Sequence, residues 1–94
     1  MPNQESESKF PLGRTVITRN ALNQLPLPET MVALKRHQSG DWGDICEQDR
    51  QENERSLIDQ TRLFSVYHTP SGVMFWIITE HDRSVTTILL PEDY

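Results

Sequence analysis

Cysteine is almost missing from this sequence: Cys46 is the one thiol in 94 residues. An internal disulfide is therefore excluded, and a reducing, cytoplasmic setting is expected. One thiol and three scattered histidines also lack the spacing of a dedicated metal site. Long apolar runs are missing too. None approaches the roughly 20 residues needed to cross a bilayer, and the opening "MPNQESESK" has no apolar core of the signal-peptide kind, so no membrane association is expected. Positive charge is scarce: 14 acidic residues face 9 basic ones, a net charge of -5. Such a chain lacks the cationic field that releases counterions from many phosphates, and extensive direct nucleic-acid binding is not expected. A protein-binding module, an enzyme for a small substrate and a nucleic-acid mimic remain compatible with that balance. There is no Ser-His-Asp pattern, phosphate loop or dinucleotide fingerprint. No cofactor is expected.

What is present suits one small domain. A chain of this length buries only about 60 to 65% of the surface its unfolded form exposes, so the core must be compact. Residues 1–9 are polar and without period and are expected to form a tail, leaving 10–94 as a single α+β domain. "GRTVIT" has the β-branched content of a short strand, after which Thr18 or Asn20 caps a brief helical turn. Pro28 suits the first turn of a helix carrying Leu27, Met31 and Leu34, and that helix is expected to stop at Ser39-Gly40. A second helix is expected from Asp44 to Gln60, where neither proline nor glycine intervenes. "RLFSVYHT", "GVMFWIITE" and "SVTTILLP" then read as an antiparallel meander whose first turn is "TPSG". The expected architecture is two helices packed on a C-terminal antiparallel meander of three to four strands. Phe64, Val66, Phe75, Trp76, Ile77, Ile88 and Leu90 are its expected core. In the middle strand both faces are apolar, which predicts at least partial cover on each side.

The chemically dense stretch is "RHQSGDWGDICEQD", residues 36–49. On a structural reading Gly40 and Gly43 permit a reversal, Asp41 or Asp44 caps the next helix, Trp42 folds over the core as a lid, and Cys46 is a small buried residue. On a functional reading His37, Asp41, Trp42, Asp44, Asp49 and Asn53 form a small recognition site. The polar Asp49 and Asn53 interrupt the helix's inward stripe and need partners there. That reading predicts that alanine at His37 or Asn53 spares stability and weakens binding, and that valine at Gly40 damages the fold.

Two resemblances add to this. "SGDWGD" together with "FWIITEHDRSVTTILLPEDY" resembles a group of short bacterial proteins found with plasmids and other mobile elements. The likeness covers the chain from about Phe10 to Tyr94 and implies a small protein of the accessory genome, with no mechanism attached. More loosely, helices followed by a meander are similar in order to barnase-like toxin ribonucleases. That analogy implies His37 as acid or base, Arg83 on a phosphate, and Glu80 and Thr87 completing the site. The acidic balance opposes it. The favoured expectation is a non-catalytic interaction protein that binds a protein partner, its carboxylates selecting a basic surface. The oligomeric state is left open.

Overall fold

The β-branched run after Gly13 forms β1 (Arg14–Ile17), and Thr18 ends it by starting α1 (Arg19–Gln24), its hydroxyl accepting the Ala21 N–H at 3.1 Å. α2 (Leu27–Gln38) begins at Pro26, and Pro28 occupies its first turn, where a missing N–H costs nothing. It ends at Ser39, and Gly40 reverses the chain at a φ of 87°, as the sequence predicts. α3 (Glu47–Asp59) follows, then β2 (Leu63–His68), β3 (Met74–Thr79) and β4 (Val85–Leu89), and a 3-10 turn at Pro91–Asp93. The computed structural model describes residues 8–94; the expected tail falls almost wholly outside the described residues.

The fold class is α+β, with two departures from expectation. Among the described residues the α-helices number three, and the sheet is mixed: its order is β1-β4-β3-β2, with β1 parallel to β4 and the other pairs antiparallel. The parallel pair arises because all three helices intervene between β1 and the meander, the long connection that parallel neighbours require. The start of α3 also differs. Cys46, not Asp41 or Asp44, is its N-cap, with Sγ accepting the Asp49 N–H at 3.5 Å, and the thiol is exposed rather than buried.

Strand alternation divides the sheet into two unlike faces. On the inner face Tyr67, Phe75, Ile77, Ile88 and Leu90 pack with Ala21 of α1, Leu25 just after it, and Ala33 and Leu34 of α2. Leu63, on the same face, joins Phe10 and Trp42, with Ile45 and Leu57 against them. Both apolar clusters that recruit helix residues thus draw their strand residues from the inner face. The outer face carries Phe64, Val66, Trp76, Ile78, Thr87 and Leu89. Phe64 and Trp76, expected in the core, are only half-buried there. Phe75, by contrast, is 1% exposed, and Phe75→Ala is expected to lower stability by about 3 to 5 kcal/mol. A urea midpoint unchanged by that substitution would place the core elsewhere.

Candidate functional site

The dense stretch folds inward. His37, in the last turn of α2, is fully buried. Its Nδ1 lies 2.6 Å from the Ser65 hydroxyl and its Nε2 2.9 Å from that of Thr79. Thr79 is in turn 2.7 Å from Thr86, whose hydroxyl donates to the Leu12 carbonyl at 2.7 Å. Because that carbonyl can only accept, the whole chain has one direction. Thr86 donates to Leu12, Thr79 donates to Thr86, the His37 Nε2–H donates to Thr79, and Ser65 donates to Nδ1. The arrangement fits a neutral imidazole. Burial first, and the Arg83 charge second, push the His37 pKa down to about 3. An imidazolium, which the dipole at a helix C-terminus would favour, is therefore not formed near neutrality. Phe10 and Trp42 enclose the ring edge-on, at centroid distances of 5.3 and 5.6 Å.

The rest of the motif closes the edge of β2. The Asn53 carboxamide behaves like a peptide group of an additional strand, donating to Phe64 O at 2.6 Å and accepting from Phe64 N at 3.1 Å. Two residues on, Val66 N donates to Trp42 O at 3.2 Å and Asp44 N to Val66 O at 2.7 Å, so Gly43 forms a parallel bridge with Val66. Tyr67 Oη donates to Asp41 O at 2.6 Å, and Trp42 Nε1 to Glu54 at 2.8 Å. Among the described residues no buried side-chain nitrogen or oxygen lacks a partner. Asn53 and His37 thus have their polar atoms engaged inside the protein, which reverses the expectation that alanine at either spares stability.

Of the six residues expected in a recognition site, His37 and Trp42 meet in the core. Asp41 is held by Arg36 at 2.8 and 3.2 Å, which keeps its carboxyl below the usual range. Asp44 sits on the surface 2.7 Å from His68 Nδ1. Asp49 is exposed in the first turn of α3. The four residues of the ribonuclease analogy do not assemble into one site. His37 lies on the inner face, whereas Thr87, next to the inward Thr86, belongs to the outer one. Glu80 is clamped by Arg62 at 3.1 Å through both oxygens. Arg83, 9% exposed and at a φ of 60°, donates to Thr61 O at 2.7 Å, Ser56 O at 2.9 Å and Glu80 O at 3.1 Å. Its guanidinium therefore stabilises the carbonyl end of α3, where a cation complements the helix dipole. Burial lowers its pKa.

An accessible surface lies on the outer face instead. Phe64, Trp76 and Tyr94 meet edge to face, with centroids 5.2 and 5.8 Å apart. With Arg62 and Ile78 they line an open apolar groove of about 280 Å³. Beside it, a polar cleft of about 480 Å³ is lined by Asp49, Glu52, Asn53, Thr61, His81 and, again, Arg62 and Phe64. The two depressions share those last two side chains and are one surface. α3, which forms a wall of the cleft, carries five carboxylates against two arginines. Sequence reasoning missed the groove, although its signal was available: a strand apolar on both faces, in a chain with helices for only one of them. No group of three His, Cys, Asp or Glu side chains among the described residues stands close enough to hold a metal ion, and no described helix is long and apolar enough to cross a membrane. No protein-family model, curated protein or solved structure matches the chain.

Proposed function

We propose that this protein is a non-catalytic interaction module that takes a basic, partly apolar segment of another protein across the outer face of its sheet. The observation that carries the reading is the junction of the apolar groove with the acidic cleft at Arg62 and Phe64. Trp76 and Phe64 offer rigid aromatic area that loses little entropy on contact, the character of an interface anchor. Asp49 and Glu52 line the cleft beside them, so a cationic side chain one or two residues from an apolar one would satisfy both halves at once. Arg62 does not oppose this, because Glu80 already neutralises it. The net charge of -5 extends the same preference beyond contact distance. A modulator that captures a basic segment of a nucleic-acid enzyme is the role this chemistry suits, with the accessory genome as its expected setting.

The test uses short peptides alternating arginine and leucine, with glutamate–leucine peptides of equal length beside them, followed by amide chemical shifts in the full chain. Shifts confined to Phe64, Trp76, Ile78, Tyr94, Asp49 and Glu52, seen for the basic peptides only and weakened by salt, support the reading. Trp76→Ala is expected to weaken that binding about 30-fold, the effect of removing a central anchor worth about 2 kcal/mol. Equal response to both peptide sets, or shifts elsewhere, would overturn it.

A further inference from the structure

The sharply exposed apolar side chains are not scattered. Of the eight large ones among the described residues, Leu22, Leu27, Met31 and Val32 lie on α1 and α2, on the opposite side of the sheet from the aromatic groove. Along α2, Thr30, Ala33, Leu34 and His37 are buried, and Leu27, Pro28, Met31, Val32, Lys35 and Arg36 are exposed. At about 100° per residue, Pro28 and Lys35 fall on the midline of that exposed stripe. Leu27 and Met31 fall on one flank, and Val32, Arg36 and Glu29 on the other. The stripe is apolar through its first two turns, basic in its last, and acidic at Glu29 in its first.

We infer that this stripe is a two-fold interface with a second copy of the chain. Two α2 helices packed antiparallel, with the two-fold axis crossing between Met31 and Val32, bring each flank against the same flank of the other copy. Val32 then meets Val32 and Met31 meets Met31. Pro28 lies along the aliphatic stem of the other copy's Lys35, and Glu29 faces that Lys35 ammonium, with Arg36, already paired to Asp41 in its own chain, beside it. Each charge pair occurs twice. A parallel two-fold pair would instead set the Glu29 flank against the Leu27 and Met31 flank and leave Glu29 without a basic partner, so the charge order along the helix selects the antiparallel one. Val32 also borders an open groove of about 380 Å³ whose lining includes Pro28, Ala33, Arg36 and Phe75, which gives the other copy's side chains room to interlock. Because α2 and the aromatic groove sit on opposite sides of the sheet, pairing leaves both docking faces free and doubles their number in one particle.

Sedimentation equilibrium of the full chain over a wide concentration range tests this. The expected result is a mass that rises from one chain to two, with Val32→Glu weakening association about tenfold or more while the far-ultraviolet circular dichroism stays unchanged. Glu29→Lys is expected to dissociate the pair, and adding Lys35→Glu to it to restore association. A one-chain mass at every concentration would overturn the inference. So would a dimer indifferent to Val32→Glu, or a Glu29→Lys defect that the second substitution does not repair.

Discussion

Replacing His37 by leucine is expected to cost about 2 to 5 kcal/mol at neutral pH, because the Ser65 and Thr79 hydroxyls lose a buried partner and each unsatisfied group costs roughly 1 to 3 kcal/mol. The same residue makes the wild-type protein sensitive to mild acid. Its folded pKa of about 3 lies below the ordinary 6.5, so the unfolded chain takes up a proton that the folded one refuses. The stabilisation is complete above the ordinary value and is lost as the pH falls through and below it, by up to about 1.4 kcal/mol per unit. At about pH 5 the loss amounts to roughly 2 kcal/mol. Asp41 and Asp93, whose pKa values are lowered by Arg36 and by Thr18 respectively, begin to contribute only at lower pH. Urea midpoints at pH 7.5 and 5 should therefore converge between wild type and His37→Leu. Parallel losses in the two proteins would show that the imidazole does not titrate as the buried network requires.

The second large effect belongs to Gly43. Its φ is 79°, and a Cβ built there would lie 2.0 Å from the Val66 carbonyl oxygen and 2.8 Å from the Tyr67 ring. Backbone cannot yield as the end of a side chain can. Gly43→Val is expected to cost on the order of 4 kcal/mol or more, from left-handed strain and loss of the Val66 bridge together. Gly40 also has a positive φ, of 87°, but a Cβ there meets only the flexible Lys9 side chain at 3.0 Å. Gly40→Val is expected to cost about 1 to 2 kcal/mol, the strain alone. A thermal melt of the two variants side by side decides the order. Equal destabilisation would mean that the close approach at Val66 carries no weight.

Local signals explain why so much of the fold was legible. Thr18 marks a helix boundary through its capping hydroxyl, Pro28 and Gly40 through a backbone property of the residue itself, and all three act where expected. The meander was legible from alternation, and the mixed sheet was not, since nothing in "RTVI" names the strand it will join. The polar residues of α3 were read as evidence of a cleft because they break an apolar stripe. Both do line one, but the Asn53 carboxamide is committed to the backbone of Phe64, a partner that lies 11 positions away and leaves no trace in local pattern. His37 misled for a related reason. A histidine at a helix end has the same local sequence whether solvent or three hydroxyl-bearing strands lie above it, and only the register of Ser65, Thr79 and Thr86 decides.

The two edges of the sheet differ in a way that matters when molecules crowd. Along β2, Asn53 and the segment from Trp42 to Asp44 occupy the hydrogen-bonding positions of Phe64 and Val66, so that edge is sealed by the molecule's own groups. β1, at the other edge, has no such seal among the described residues; its Arg14 N–H faces inward to Ser84 at 2.9 Å, which turns Thr15 outward by alternation. In the language of polymer chemistry the sheet is a monofunctional unit. It can be joined once, at β1, and a pair joined there presents two capped ends, so strand addition terminates at the first step instead of propagating into a fibre.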